Sequence, residues 1–301
     1  MPSTPLIAVD VGNARIKLGS FRAPRGDGLP EPEQTLHIDG RSGEPDRLAA
    51  WLDDLLKDPA AAALGATAGL SSSAGNTVGQ ANRGTRPFGS VGPIAWYIGS
   101  VNRPATSRLI DWVREHRPAD RIVMLAADDL PLTVKLQRPD MVGVDRLLDA
   151  IAANRLRSAG CPAVVVDVGS AITVDLVSAD GVFLGGAILP GIAMSARALH
   201  EFTDLLPLID MADLAAPPPA VGQETIAAMR AGLFWGAVGS VRQLVEEMTR
   251  GEASDQPPPQ VYLTGGAAPA VADLLGPAAV YVPHLTLAGI ALAADHLNGL
   301  S

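Results

Sequence analysis

Two short turns, each preceded by an aspartate at the end of an apolar run, are the residues of this sequence best suited to binding phosphate. Asp10 closes the first run and is followed by Val11–Asn13, and Asp167 closes the second and is followed by Val168–Ser170. Such a turn exposes backbone N–H groups to phosphate oxygens, while its carboxylate holds a cation against the phosphate. One such turn alone is more often an ordinary hairpin. Two matching turns half a chain apart indicate a shared phosphate site.

A third glycine-rich segment and several missing motifs narrow the chemistry. Leu263–Ala267 places two glycines after a short apolar run, where the backbone can approach a flat ligand closely, although an ordinary turn is the alternative. None of the three lysines follows a glycine, so a Gly-Lys-Ser/Thr phosphate loop is excluded. The dinucleotide fingerprint and the Gly-x-Ser-x-Gly nucleophile elbow are missing as well. A nucleotide would have to be bound by another design.

The elements that position the two turns form an internal repeat in the sequence. Each turn follows a β-branched strand and leads into a second strand, and Asp180-Gly181 then predicts a further hairpin in the second half. Residues 1–150 and 151–301 are therefore predicted to be two related domains, the first containing a low-complexity loop at about 71–90. Amphipathic patterns predict helices over 46–57, 106–116, 146–157, 192–201, 224–250 and 285–297, and a short buried strand over 261–263. The fold class is α/β with mixed sheets.

Composition excludes several classes of protein. The chain has 301 residues, of which 48% are hydrophobic and 18% charged, so it can form sizeable cores. Its net charge of −9 disfavours a nucleic-acid partner, and its single cysteine rules out an intrachain disulfide. The N-terminus lacks a basic signal region, and no apolar stretch is long enough for a membrane span. We expect a soluble, cytoplasmic protein without a membrane partner.

Several further segments, in a fixed order around the two turns, resemble one known family. They are Gly143–Leu147, Leu184–Ile192, Gly222–Thr225, Thr264–Gly266 and His284–Gly289. Together with the turns they resemble the type III pantothenate kinases, within the acetate kinase, actin and sugar kinase superfamily, from residue 6 to about 290. The resemblance implies two actin-like (ribonuclease H-like) domains with the ATP site in the cleft between them. It also implies ATP-dependent phosphorylation of pantothenate to 4'-phosphopantothenate, the first step of coenzyme A biosynthesis.

The resemblance also implies roles for individual residues. Asp145 would be the catalytic base for the pantothenate hydroxyl, and Arg146 would pair with the pantothenate carboxylate. Asp167 would bind the monovalent cation, K⁺ or NH₄⁺, that accompanies ATP with Mg²⁺. The implied substrate-binding residues are Gly143, Val144, Asp145, Arg146 and Thr225. The implied ATP-binding residues are Asp10, Val11, Gly12, Asn13, Ala14, Arg15, Ile16, Lys17 and Ser170.

Structural alternatives stand beside three of these roles. Asp145 precedes a predicted helix and could be its N-cap, which is worth about 1 kcal/mol. Thr225 could cap the helix that follows it. Lys17 could be a solvated strand residue.

Four positions depart from the family pattern. Ala14 lacks the hydroxyl usual in the first turn, Ser170 replaces a threonine, and Glu224 stands where asparagine is common. Leu136 replaces a tyrosine that contacts substrate in many members, and losing that phenol removes a hydrogen bond. Two alternatives therefore accompany the pantothenate kinase. One is a catalytically weak homologue acting as a nucleotide-binding regulatory protein, and the other is a kinase of another small hydroxy acid.

The apolar pattern of residues 224–250 bears on assembly. Seven large apolar side chains recur there at near-helical spacing, a broader face than one neighbouring helix covers. Members of the resembled family are typically homodimers, so we expect a C₂ homodimer, with burial in the second domain's own core as the alternative. The seven residues are Ile226, Met229, Leu233, Phe234, Val238, Val241 and Leu244.

Overall fold

The computed structural model describes residues 6–22, 28–57, 92–210, 217–250, 257–272, 274–276 and 279–299. The low-complexity stretch at about 71–90, predicted to be a loop, lies outside the described residues. The chain divides into two compact units, residues 1–125 and 126–301. Among the described residues, no helix has both the length and the apolar character needed to cross a membrane.

The first unit is a five-stranded mixed sheet with two described helices. Strand β1 is central and wholly buried, because it pairs with β2 on one side and β4 on the other. Strands β1, β4 and β5 are parallel, β2 is antiparallel to both its neighbours, and the order is β3-β2-β1-β4-β5. The elements are β1 (Leu6–Val11), β2 (Arg15–Phe21), β3 (Gln34–Asp39), α1 (Pro45–Lys57), β4 (Ala95–Ser100), α2 (Arg103–His116) and β5 (Arg121–Met124).

The second unit repeats this sheet and carries more helices. Its strand order is β10-β9-β6-β7-β8, with β6, β9 and β10 parallel and β7 antiparallel to β6 and β8. Two short 3₁₀ turns, Ala127–Asp129 and Pro139–Met141, precede its first helix. The elements are α3 (Val144–Leu156), β6 (Ala163–Val168), β7 (Ala171–Val177), β8 (Phe183–Pro190), α4 (Ile192–Glu201), α5 (Thr225–Thr249), β9 (Gln260–Thr264), α6 (Ala268–Ala272), β10 (Ala279–Tyr281) and α7 (Leu285–Gly299).

The two sheets have the same topology. Numbered from the first strand of its own unit, each runs 3-2-1-4-5, opens with a hairpin and has only its second strand reversed. Asp10 and Asp167, which occupy similar positions in the repeated sequence pattern, also occupy equivalent positions in the fold. Each lies one residue before the end of the central first strand of its unit. The prediction of two related α/β domains with mixed sheets is confirmed.

The boundary between the units falls before α3, whereas the sequence placed it after residue 150. Helix α3 packs closely against α7, where a Cβ on Gly289 would overlap the carbonyl oxygen of Leu148. The contact requires glycine because two helix backbones meet there. This packing assigns α3 to the second unit.

Most of the apolar face of α5 is covered by the unit's own core. Phe234, Val238 and Val241 are buried against β6, β7 and β9, and Met229 is buried against α4. Leu233 and Leu244 are partly buried in the same packing, while Ile226 is 37% exposed. The apolar pattern of α5 is thus explained by core packing, and the argument for a dimer from this helix alone was wrong.

Candidate active site

The first turn joins β1 to β2 in four residues. Val11 pairs with Ile16, and the Gly12 amide donates to the carbonyl of Arg15 over 3.0 Å. Asn13, Ala14 and Arg15 are exposed at its tip. The tip therefore presents backbone and side chains to solvent, as a phosphate-binding turn requires.

Asn102, which sequence reasoning missed, supports this turn from α2. Its side-chain amide donates to the Gly12 carbonyl over 3.3 Å, and its carbonyl oxygen caps the helix by accepting from the Ala105 amide over 3.2 Å. An Asn two residues before a proline at the start of an amphipathic segment is a cap signal. That signal could have identified the cap, although not its contact with Gly12.

The electrostatics of the first turn centre on an ion pair. Lys17 is the register partner of Asp10, and its ammonium lies 3.1 Å from the carboxylate. The Asp10 side chain is 10% exposed, so the pair is largely desolvated on the acidic side. Lys17 thus contacts Asp10 rather than being only a solvated strand residue.

The second turn is one residue shorter than the first. Val168 pairs with Ile172, and the Gly169 amide donates to the Ala171 carbonyl over 3.0 Å. Gly169 and Ser170 are exposed. The register partner of Asp167 is Thr173, where the first turn has lysine.

Glycines from two other segments close around the second turn. The Ala267 amide donates to the Val168 carbonyl, and the Gly191 amide donates to the Ser170 carbonyl, each over 3.1 Å. Gly265 has φ +99°, and a Cβ there would overlap the Asp167 carboxylate. Gly191 and Gly265 need to be glycine because a Cβ at either would overlap the backbone of the second turn. The predicted third glycine-rich segment does meet the second turn.

This cradle has the chemistry expected of a site for phosphate and a cation. Exposed backbone at Gly169 and Ser170 stands beside the Asp167 carboxylate, and the surrounding glycines leave that backbone accessible. Within the described parts of the chain, no group of three or more His, Cys, Asp or Glu side chains could hold a metal ion by itself. A cation here would take additional ligands from backbone, water or substrate.

Asp145 and Arg146 lie in the first turn of α3. The N-cap is Gly143, so Asp145 is not the N-cap, contrary to the alternative raised from the sequence. Its carboxylate accepts from the Arg146 amide over 2.9 Å, and it is partly exposed. An acidic residue there is favoured by the helix dipole.

The Arg146 guanidinium is held by Asp175 of β7. Its Nε donates to both carboxylate oxygens, over 3.1 and 3.0 Å, and Nη2 makes a short bond to Oδ1. The Phe183 ring lies 5.6 Å from the guanidinium carbon, at a distance typical of a cation–π contact. The side chain of Arg146 is 14% exposed and that of Asp175 is 3% exposed. The residue expected to meet a substrate carboxylate is thus already paired with a buried protein carboxylate.

In the Arg146–Asp175 pair, the arginine stays protonated and positively charged. Burial disfavours the Arg146 cation, but the bonds and charge of Asp175 outweigh it and raise the pKa of the guanidinium. Burial raises the pKa of the Asp175 carboxyl, and Arg146 acts in the opposite direction.

Asp175 was missed by sequence reasoning although a signal was present. It is the one charged residue of β7, a strand whose other residues are apolar apart from Thr173, and its register partner is Gly186, in the Gly185-Gly186 pair of β8. A Cβ at Gly186 would overlap the Asp175 carboxylate. An acidic residue in a strand core implies a buried cationic partner.

Thr225 is the first residue of α5 and is exposed. The N-cap is Glu224, so the capping alternative for Thr225 was wrong. Thr225 lines a cavity of about 840 Å³ between α4 and α5. The other lining residues are Pro190, Ser195, Ala198, Leu199, Phe202, Thr203, Leu206, Ala228, Met229, Gly232 and Leu233.

Leu136 lies beside β8. The segment around it pairs with Phe183, through Phe183 N to Thr133 O (2.9 Å) and Lys135 N to Phe183 O (3.0 Å). A Cβ on Gly185 would lie 2.9 Å from Leu136 Cδ2. Leu136 thus packs next to β8, the strand that contains Phe183 and that pairs with Asp175 through Gly186.

Each unit carries the same 3-2-1-4-5 sheet, and in each an Asp-x-Gly sequence lies at the end of the first strand. The sequence profile of type III pantothenate kinases matches residues 89–247. The chain is 38% identical to a type III pantothenate kinase of Gluconobacter oxydans over 67% of its own length and 72% of that protein. The chain is also 31% identical to a type III pantothenate kinase of Dehalococcoides mccartyi, over 89% of its own length and 87% of that protein.

A solved structure agrees at the level of the fold. A Baf family protein of Campylobacter jejuni superposes with a TM-score of 0.54 and 17% identity, over 97% of this chain and 99% of that one. The profile and the two relatives together establish that the chain belongs to the type III pantothenate kinase family.

Proposed function

We propose that this protein transfers the γ-phosphoryl group of ATP to pantothenate, giving 4'-phosphopantothenate, the first step of coenzyme A biosynthesis. Membership of the family supports the reaction. The observation that supports it best in the molecule is the start of α3. There a carboxylate and an immobilised guanidinium stand on adjacent residues, Asp145 and Arg146.

The acceptor half of the reaction is assigned to α3 and α5. Asp145 orients the pantothenate hydroxyl and takes its proton as the oxygen attacks the γ-phosphorus and ADP leaves. Phosphoryl transfer depends on in-line positioning more than on a strong base, so an ordinary carboxylate is adequate. Arg146 binds the pantothenate carboxylate, and Gly143, Val144 and Thr225 complete the substrate contacts.

The donor half is assigned to the two turns. Residues 10–17 and Ser170 are assigned to ATP, with the exposed backbone and side chains of Asn13–Arg15 and of Ser170 making the direct contacts. Mg²⁺ bound with ATP supplies positive charge at the phosphate oxygens. We assign the monovalent cation, K⁺ or NH₄⁺, to the Asp167 carboxylate within its glycine cradle. As an ATP-consuming enzyme of coenzyme A synthesis, the protein is proposed to act in the cytoplasm.

A homodimer is proposed on different grounds from the apolar pattern of α5. Among the described residues, several exposed large apolar side chains lie within α4 or just after it, including Phe202 at 84% and Leu205 at 86%. Phe202 and Thr225 line the same cavity. A second copy of the chain covering this surface would bring the partner to the substrate contact proposed for Thr225.

The test is pantothenate-dependent ADP formation in Mg²⁺ and K⁺, with 4'-phosphopantothenate identified by mass spectrometry. We expect product only when both substrates are present. Tight ATP binding without turnover would instead favour the regulatory homologue, for which Ala14 and Leu136 are the motivating substitutions. Turnover with other hydroxy acids but not with pantothenate would favour a kinase of another small hydroxy acid.

A further inference from the structure

The way Asp175 holds Arg146 leaves one edge of the guanidinium for a ligand. A guanidinium has five N–H donors: one on Nε and two on each Nη. Asp175 engages Nε and Nη2, and the described residues supply Arg146 with no second acceptor. Both Nη1 donors and the second Nη2 donor remain. One from each nitrogen forms a parallel pair suited to a carboxylate.

Two features fix this orientation. Asp175 is 3% exposed and stands opposite Gly186, whose missing side chain provides the space for its carboxylate. The guanidinium carbon of Arg146 lies over the Phe183 ring, 5.6 Å from its centroid. Arg146 is therefore held along its Nε–Nη2 edge by Asp175, with the Phe183 ring beside it.

We infer that Asp175 is the positioning residue for substrate carboxylate recognition: it orients Arg146 so that the Nη1–Nη2 edge receives the carboxylate of pantothenate. This inference rests on the proposed function. The guanidinium then bridges two carboxylates, one from the protein and one from the substrate. Because Asp175 already balances the Arg146 charge, selection of the substrate depends on the direction of the donors more than on net positive charge.

The selectivity for a carboxylate tests this role directly. The probe pair is pantothenate and its neutral alcohol analogue, in which CH₂OH replaces the carboxylate. The measured quantity is the ratio of their kcat/KM values. In the wild type we expect pantothenate to be preferred by about 100-fold, the scale of a bidentate charge-assisted contact. Failure of the wild type to phosphorylate either compound would refute the proposed function and not Asp175's role separately.

In an active wild-type background, Asp175→Asn should cut the preference by about tenfold or more, since an amide offers one acceptor oxygen and a competing donor. KM for ATP should stay within about twofold, because no ATP contact is altered. Arg146→Met should remove the preference, and the double variant should be no worse than Arg146→Met alone. Arg146→Lys, which keeps charge and lacks the fork, should also lose most of it.

The matched control is Asp120→Asn in the first unit. Asp120 is likewise a buried carboxylate that accepts two bonds from an arginine, Arg117, at 3.0 and 2.9 Å, and it lies outside the proposed site. It should lower the melting temperature without moving the preference. Full preference in Asp175→Asn, or a preference that rises because the Arg146 charge is released, would overturn the inference. If Asp175→Asn does not fold, an unchanged preference in Arg146→Lys would do so.

Discussion

Lys17 is the register partner of Asp10 across the first hairpin, and its ammonium lies 3.1 Å from the Asp10 carboxylate. At the equivalent place in the second hairpin, Asp167 faces Thr173. The two turns therefore follow equivalent strands but differ by one residue in length and in the residue opposite the aspartate. The first turn places the Lys17 ammonium beside its aspartate. For the second turn, we propose that a bound monovalent cation takes the corresponding place beside Asp167.

Lys17→Met should raise KM for ATP by about tenfold, because a charged contact to phosphate is lost. It should also lower the free energy of unfolding by about 1–2 kcal/mol, between the values for exposed and buried pairs. Steady-state kinetics and denaturant titration measure the two effects. Lys57→Met is the control, since Lys57 pairs with Asp54 on an exposed helix face. An unchanged KM for ATP in Lys17→Met would limit Lys17 to a structural role.

Gly265→Ala should damage the second phosphate site more than the fold. Its Cβ would overlap Asp167 and the Val168 carbonyl, in addition to straining a backbone at φ +99°. Gly276→Ala is matched for strain, with φ +97°, but has open space around its Cβ. Both variants should lose about 1 kcal/mol of stability from strain. Only Gly265→Ala should lose most activity, and equal activities would contradict the cradle.

Asp145→Asn should lower turnover by about 10²-fold, the scale of a general base. Because Gly143 and not Asp145 is the N-cap, the variant should lose less than about 1 kcal/mol of stability. Asp140→Asn, in the exposed Arg138–Asp140 pair nearby, is the control. Rapid-quench kinetics separate turnover from binding. Turnover within a few-fold of wild type would leave Asp145 without a catalytic role.

Activity should depend on K⁺ or NH₄⁺ and be low in Na⁺. Asp167→Ala should abolish this dependence along with most activity, because it removes the carboxylate assigned to the cation. Asp180→Asn, in the exposed hairpin between β7 and β8, should retain it. The measurement is initial rate against salt identity at constant ionic strength. Equal wild-type rates in the three salts would sink the assignment.

Local patterns predicted the two hairpins and most of the helices but missed β3, β4, β5, β10 and the short helix α6, and they could not predict tertiary pairings. The helix at 192–201 was placed at its observed bounds, and both hairpins were found, because apolar periodicity and turn glycines act over a few residues. Arg146 and Asp175 are 29 residues apart and meet only through the packing of α3 on β7. Asn102 reaches Gly12 across 90 residues. Contacts of this kind depend on sheet order, which periodicity does not encode.

The dimer prediction now rests on the surface near α4. Phe202→Asp combined with Leu205→Asp places two charges on residues that are 84% and 86% exposed, so each chain should still fold. A dimer buried through this surface should dissociate, because desolvating the new carboxylates is unfavourable. Sedimentation should show twice 31.0 kDa for wild type and 31.0 kDa for the variant.

Loss of the partner should also affect one substrate more than the other. Phe202 lines the cavity that contains Thr225, so KM for pantothenate should rise more than KM for ATP. Val280→Asp, at a 52% exposed apolar residue on β10, is the matched control and should remain dimeric. A wild-type chain that sediments as a fully active monomer at micromolar concentration would refute the dimer. The cavity between α4 and α5 would then have to bind substrate within one chain.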